Sequence, residues 1–217
     1  DSSLTSVAGS GYVTLVICFL IMIGGIGFLT WKDIAVKKTR FKEYSMQTKV
    51  ILVTTAILIV IPAVFFFFSD FAKEPLKDRI CMSVFQAVTP RTAGFNTADL
   101  NKMSDAGRSV MMLLMLIGGS PGSTAGGMKT TTIAVLFANA IAVFRKRQNA
   151  NCYGRRIDDS TVKNASAILF MYVFFSMLSA IIISITDGIS MQMGMFETFS
   201  AIGTVGLTSV SYTHLRA

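Results

Sequence analysis

The sequence predicts an all-α integral membrane protein that repeats one unit, in which a short re-entrant helix and an extended loop lie between two membrane spans. Three observations support this fold class. Of the 217 residues, 52% are hydrophobic and only 15% are charged, whereas soluble domains average roughly 25% charged residues. Long apolar segments alternate with strongly basic loops. Two segments of similar sequence, 84–97 and 199–208, each place a glycine-containing loop after a short apolar run.

The first predicted span covers residues 12–31, about the length that crosses a ~30 Å hydrocarbon core. It contains the cluster Gly24-Gly-Ile-Gly27, which removes side-chain bulk from one face. We expect another helix or the pore to approach this face closely. A nucleotide-binding glycine loop is not favoured, because Thr30 stands at the third glycine position and the cluster lies inside the span.

The second span, 50–69, leads into the first short helix, predicted over 76–89. That helix should end before Pro90, because proline lacks an N–H group and disfavours helical geometry in the residue before it. Extended backbone follows over 91–96, which we call the first loop, and Gly94 permits backbone angles that other residues resist. Such backbone is tolerated at membrane depth only where protein buries it or where it lines a watery path.

The same order returns later in the chain. A span over 165–186 precedes a second short helix over 190–202 and an extended segment over 203–208, which we call the second loop. Thr204-Val-Gly-Leu207 aligns with Thr92-Ala-Gly-Phe95 in the first loop. An internal repeat at long spacing is a fold-level signal that is common in membrane transporters.

Each loop offers consecutive backbone carbonyls, one central glycine and no carboxylate. A ring of such carbonyls can replace the hydration shell of a cation. The C-terminal end of the short helix before each loop carries partial negative charge, which would favour a cation at the inner mouth. A tight glycine turn in an outer loop is the alternative. The predicted ion-binding residues are Thr92, Ala93, Gly94, Phe95, Thr204, Val205, Gly206 and Leu207.

The segment 107–144 is too long for one membrane helix, since it would extend roughly 57 Å. A stretch rich in glycine and hydroxyl residues interrupts it, so we predict a broken transmembrane element with polar backbone at its centre. The interrupting residues are Gly118, Gly119, Ser120, Pro121, Gly122, Ser123, Thr124, Ala125, Gly126 and Gly127, and Lys129 follows them. The stretch is not a phosphate-binding P-loop, because Met128 separates its last glycine from the lysine.

Two loops hold twelve of the twenty Lys and Arg residues, six in 32–49 and six in 145–163. The positive-inside rule predicts that both are cytoplasmic, so that both re-entrant segments enter from the outer face. The net charge of +8 then reflects orientation rather than binding of nucleic acid or lipid. Three widely spaced cysteines and a single histidine give no disulfide framework or zinc site, and no cluster of acids, His or Cys predicts an enzyme.

These motifs resemble the Trk/Ktr/HKT family of potassium uptake proteins, most closely the bacterial Ktr-type membrane subunit. The segments 88–96, 118–132 and 203–207 carry the resemblance. In that family, four units of M1, pore helix and M2 surround one potassium-channel-like, pseudo-fourfold pore. The resemblance implies that Gly94 and Gly206 stand at selectivity positions, and that the 118–127 loop with Lys129 gates the pore. A passive kink, with Lys129 reaching the inner surface, is the alternative.

The resemblance also implies how the chain divides. Residues 1–46, with an M2 helix at 12–31, would end repeat 2, residues 47–159 would form repeat 3, and residues 160–209 would begin repeat 4. The chain would then be a fragment of a longer protein whose first two filters are missing here. Residues 210–217 look unlike a membrane span, and we predict that they are a non-native tail.

The function implied by the resemblance is uptake of potassium ions across a bacterial plasma membrane, with potassium as the transported ion and no organic cofactor. The implied partners are membrane lipid, a second copy of the same subunit, and a cytosolic nucleotide-binding ring at the basic inner face. A sodium-permeable relative and a non-transporting membrane scaffold remain the alternatives.

Two charged residues beside the loops have open roles. Arg91 could set an electrostatic threshold at the outer mouth, or it could fasten the first loop by hydrogen bonds. Glu197, inside the second short helix, could attract cations or pair with a basic side chain.

Overall fold

The computed structural model of the chain describes residues 11–38, 40–97 and 100–209. The predicted tail over 210–217 lies outside the described residues. Helices dominate the described ranges. A short hairpin lies in the second basic loop and pairs two strands of two residues each, β1 (Asn151–Cys152) and β2 (Arg155–Arg156). The α-helices are α1 (Gly11–Ile26), α2 (Phe28–Lys37), α3 (Met46–Phe68), α4 (Leu76–Val88), α5 (Asp105–Leu116), α6 (Thr130–Phe144), α7 (Asp159–Asp187) and α8 (Met191–Ile202).

Within the ranges that the structure describes, two helices are long and apolar enough to cross a membrane on their own. They are α3, with 23 residues, and α7, with 29 residues. α3 lies where a span over 50–69 is predicted, and α7 extends beyond the predicted 165–186 at its N-terminal end. The hydroxyl of Ser45 caps α3 by accepting a hydrogen bond from the Thr48 N–H at 3.2 Å, which satisfies one of the unpaired donors at a helix start.

The first predicted span, 12–31, is not one straight helix, and the expectation was wrong in this respect. α1 ends at Ile26, α2 begins at Phe28, and the two helices are bent by 95°. Gly27 forms the corner with a φ of +91°, a conformation that is strained for any residue with a side chain. The glycine cluster therefore breaks the helix as well as admitting a close neighbour.

The broken element is present, with a longer interruption than the sequence indicates. α5 and α6 are separated by residues 117–129, which we call the glycine-rich segment. Its two ends are held together by backbone hydrogen bonds, from the Met128 N–H to the Leu116 carbonyl at 3.2 Å and from the Gly118 N–H to the Met128 carbonyl at 2.8 Å. The interruption is therefore a closed loop between two half-helices.

The two short helices lie inside the assembly of longer ones. α4 packs against α3 and α1, while α8 packs against α7 and α5. One apolar cluster joins them, and it includes Phe66 of α3, Met111 and Met115 of α5, and Phe196 of α8, all 1% exposed or less. The core thus sits around the ends of α4 and α8, from which the two loops emerge.

The bend at Gly27 yields a stability prediction. A Cβ atom on Gly27 would lie 2.5 Å from the Pro121 carbonyl oxygen, in addition to the strain of a left-handed backbone. We expect Gly27→Ala to lower the free energy of unfolding by about 1–3 kcal/mol. Thermal unfolding of the detergent-solubilised protein would measure this loss.

Gly25→Ala is the matched control, because a Cβ atom there meets no atom within 4 Å and the residue lies in helical backbone. It should remain within about 1 kcal/mol of the wild type. Equal melting temperatures for the two variants would show that the 95° bend is not required for stability.

Candidate functional site

The first loop folds back onto the end of α4. The N–H groups of Ala93 and Gly94 both donate to the carbonyl of Thr89, at 3.2 and 3.3 Å. The Thr89 hydroxyl donates in turn to the carbonyl of Phe95 at 2.5 Å. The first two bonds satisfy the Thr89 carbonyl at the end of the helix, where carbonyls otherwise lack partners. Together the three bonds fix the loop directly beyond the negative end of the helix dipole.

The second loop leaves α8 through a similar turn. The Val205 N–H donates to the Ser200 carbonyl at 2.8 Å, and the Thr204 N–H donates to the Ala201 carbonyl at 3.0 Å. This pair of bonds is the Schellman arrangement, in which the residue in the left-handed conformation is usually glycine. Here that residue is Thr204, with a φ of +56°. A β-branched residue in this conformation stores strain of about 1–3 kcal/mol.

The two loops have the same unusual backbone at aligned positions. Thr92 and Thr204 have φ values of +63° and +56°, and Gly94 and Gly206 have φ values of +70° and +87°. The residue between them in each loop has a negative φ. When φ alternates in sign in this way, successive peptide groups point in the same direction. In a β-strand, successive peptide groups point to opposite sides. Consecutive carbonyls of each loop can therefore face one path.

The loops meet backbone to backbone. A Cβ atom on Gly94 would lie 2.1 Å from the Val205 carbonyl oxygen, so that only glycine permits this approach. In the second loop, the side chains of Val205 and Leu207 are 5% and 3% exposed and belong to the central apolar cluster, while Gly206 is exposed. Burial of alternate side chains anchors the loop and leaves its backbone on an open face.

The glycine-rich segment lies directly against the second loop. A Cβ atom on Gly126 would lie 1.8 Å from the Thr204 hydroxyl oxygen, and one on Gly127 would lie 3.3 Å from the Gly203 carbonyl oxygen. The first residues of the second loop are therefore in contact with the segment that interrupts α5 and α6.

The other side of the glycine-rich segment is bound to the corner between α1 and α2. The Ser120 N–H donates to the Gly25 carbonyl at 2.9 Å, and the Phe28 N–H donates to the Gly122 carbonyl at 3.1 Å. The glycine cluster of the first span was predicted to admit a close neighbour, and that neighbour is this segment. Gly25 and Gly27 were not predicted to belong to the site, although the glycine cluster could have indicated that they do.

Side chains inside the segment hold its shape. The hydroxyl oxygens of Ser120 and Thr130 lie 3.1 Å apart, and both residues are fully buried. The Lys129 ammonium group donates to the Ala125 carbonyl at 2.7 Å and is half-buried. Of the other predicted gate residues, Gly118 and Gly119 are buried, Gly122 and Thr124 are exposed, and Pro121, Ser123, Ala125, Gly126 and Gly127 are intermediate.

Arg91 lies inside the protein at the start of the first loop. It is 5% exposed, and its Nη2 atom is 3.5 Å from the hydroxyl oxygen of Thr55 in α3. This contact favours the interpretation that Arg91 fastens the first loop to α3, rather than the interpretation that it presents a positive charge at the outer mouth. Thr55 was not a predicted site residue, because nothing in its apolar span marks it in sequence.

The chain is similar in sequence to proteins of a cation transport family. The model of the TrkH cation transport protein family matches residues 1–214. The chain is 37% identical over 206 residues to the potassium/sodium uptake protein NtpJ of Enterococcus hirae, covering 91% of this chain and 46% of that protein. It is also 37% identical over 212 residues to the Ktr system potassium uptake protein B of Bacillus subtilis, covering 95% of this chain and 47% of that protein.

Among solved structures, the chain is similar to the crystal structure of the potassium transporter TrkH from Vibrio parahaemolyticus. The TM-score is 0.72 at 17% sequence identity, with 91% of this chain and 44% of that chain covered. At this identity the likeness concerns the fold, and it confirms the all-α membrane architecture. The chain spans about half the length of the relatives that it matches. With its matched motifs, its fold and its family model in agreement, the chain belongs to the TrkH cation transport protein family.

Proposed function

We propose that this chain supplies two filter segments and the gate of a potassium uptake pore in a bacterial plasma membrane. The observation that carries the proposal is the shared backbone of residues 92–94 and 204–206, whose φ values alternate in sign in both loops. The two segments also meet at Gly94 and Val205. This arrangement supports assignment of Thr92, Ala93, Gly94, Phe95, Thr204, Val205, Gly206 and Leu207 as the ion-binding residues.

The mechanism follows from the chemistry of these groups. A potassium ion enters only if oxygen atoms replace its water shell, and consecutive carbonyls facing one path offer such oxygens without burying a charge. The ends of α4 and α8 add partial negative charge behind the loops. Because the loop N–H groups donate to carbonyls at the helix ends, the loop backbone is held in place and does not have to reorganise when an ion arrives.

We propose that the glycine-rich segment is the gate. Its contact with Thr204 supports this role, since an ion passing inward from the second loop would meet Gly126 and Gly127. The bonds to Gly25 and Phe28 hold it in place, and the bond from Lys129 to the Ala125 carbonyl holds its closed shape. Opening would require that some of these bonds break. A passive kink would need no such set of bonds on both sides.

The wider setting of the pore is also a proposal. The relatives' names include both potassium uptake and potassium/sodium uptake, so a sodium-permeable pore is the second candidate. The name of a Ktr system implies further components for those relatives. We propose a homodimer in lipid, with a cytosolic nucleotide-binding ring at the basic loops 32–49 and 145–163, and repeats 2, 3 and 4 divided at 46 and 159.

The filter assignment predicts the outcome of Gly94→Ser. The new side chain would displace the Val205 carbonyl, so the preference for rubidium over sodium should fall by about tenfold or more. The measurement is uptake of both ions by cells that lack their own potassium uptake systems and express a protein of the relatives' length containing this chain.

Gly188→Ser is the matched control, because Gly188 also has a positive φ, of +66°, but a Cβ atom there meets no atom within 4 Å. It should keep the wild-type preference. If Gly94→Ser also keeps it, Gly94 is not on the ion path. If the well-expressed wild type takes up neither ion, even with its regulatory partner, the scaffold alternative is correct.

The gate assignment predicts faster transport in Lys129→Met. Loss of the bond to the Ala125 carbonyl removes about 1.5–3 kcal/mol from the closed arrangement, so the maximal uptake rate should rise severalfold while the KM for rubidium stays unchanged. Lys163→Met, at an exposed position in α7, controls for the loss of one positive charge. A passive kink predicts no difference between the two variants in maximal rate.

A further inference from the structure

Glu197 connects the second pore helix to the far end of the second loop. One carboxylate oxygen, Oε1, accepts three hydrogen bonds: from the Thr208 hydroxyl at 2.9 Å, from the Ser209 N–H at 2.8 Å and from the Ser209 hydroxyl at 3.2 Å. Glu197 lies within α8, and these three bonds come from Thr208, the last residue of the second loop, and from Ser209, which follows it. The carboxylate thus closes a ring that contains the end of α8 and the whole of the second loop.

The strength of this connection comes from charge. Hydrogen bonds to an ionised group are roughly twice as strong as those between neutral groups, and the Glu197 side chain is half-buried. An acid that attracted ions directly would need oxygen atoms open to them, whereas Oε1 is already engaged by three donors. The contacts favour a fastening role.

The first copy is fastened differently. Alignment of Phe85 with Phe199 places Ser83 opposite Glu197, and the Ser83 hydroxyl donates to the Arg79 carbonyl within its own helix. The first loop is held instead by the bond from Thr89 to the Phe95 carbonyl. The second loop is therefore held by a charged acceptor, the Glu197 carboxylate, whereas the first loop is held by a neutral donor, the Thr89 hydroxyl.

We propose that Glu197 is a positioning residue that determines ion selectivity by holding the outer limb of the second loop. The inference rests on the proposed function, because it assumes that the second loop is a filter. The Gly206 and Leu207 carbonyls lie between the end of α8 and the limb that Glu197 holds. Release of the limb would let their spacing vary, and a filter of variable width discriminates less well between ions of different radius.

The test compares Glu197→Ala and Glu197→Gln with Thr198→Val in a protein of the relatives' length. Thr198 is the neighbouring residue of the same helix, 3% exposed, and its hydroxyl donates within the helix to the Met195 carbonyl. Thr198→Val therefore removes a hydrogen bond that α8 makes within itself. Rubidium and sodium uptake would be measured over a range of concentrations, together with the melting temperature of each purified variant.

We expect Glu197→Ala to lower the preference for rubidium over sodium by about tenfold, mainly through the ratio of KM values. Glu197→Gln, which keeps an acceptor oxygen and loses the charge, should lie between it and the wild type. Thr198→Val should keep the wild-type preference. A structural role alone would lower melting temperature and maximal rate for both ions equally, and that result would overturn the inference.

A double-mutant cycle with Thr208→Val tests whether Glu197 acts through the loop. Because the two side chains share a bond, their effects on selectivity should be less than additive. Additive effects would overturn the inference. Wild-type uptake with unchanged selectivity in Glu197→Ala would also overturn it while leaving the filter assignment intact, whereas a wild type without uptake would overturn the proposed function itself.

Discussion

The structure depends on one constraint, which is that non-helical backbone at membrane depth must find its hydrogen-bond partners inside the protein. Both loops meet this constraint by returning their N–H groups to the carbonyls at the end of the preceding helix. The Thr89 and Ser200 carbonyls each receive a bond from the loop that follows. The same bonds fix the direction of the loop backbone, and backbone carbonyls that face one path are what a dehydrated cation requires.

The glycine-rich segment meets the constraint in another way. It does not fold back onto the end of a single helix, but is held between the α1–α2 corner and the second loop. Ser120 and Gly122 bond to backbone groups on either side of Gly27, and Lys129 satisfies the Ala125 carbonyl from within. A segment held by a few separable bonds can change its position and shape, since its closure through Leu116, Gly118 and Met128 does not depend on them.

The sequence was sufficient for the class of fold, the order of the helices and the alignment of the two loops. These features depend on apolar length, charge placement and a glycine at a fixed offset, all of which are local. The bend at Gly27 was not predictable from such local features, because a glycine in a membrane helix is compatible both with close packing of a neighbour and with a break in the helix. What decides between them is the Pro121 carbonyl, 94 positions later in the chain. The contact of Arg91 with Thr55 is also non-local, at 36 positions, whereas Glu197 bonds to residues only 11 and 12 positions ahead.

The two loops share an unusual backbone conformation and differ in how they are fastened. Both loops have a left-handed threonine and a left-handed glycine two residues apart, although threonine is strained there. Strain repeated at the same position indicates that the direction of the carbonyls is the conserved requirement within this chain. The fastening behind each loop differs, with a hydroxyl in one copy and a carboxylate in the other. Differences between repeats can therefore adjust the stiffness of each loop without altering the carbonyls that it presents.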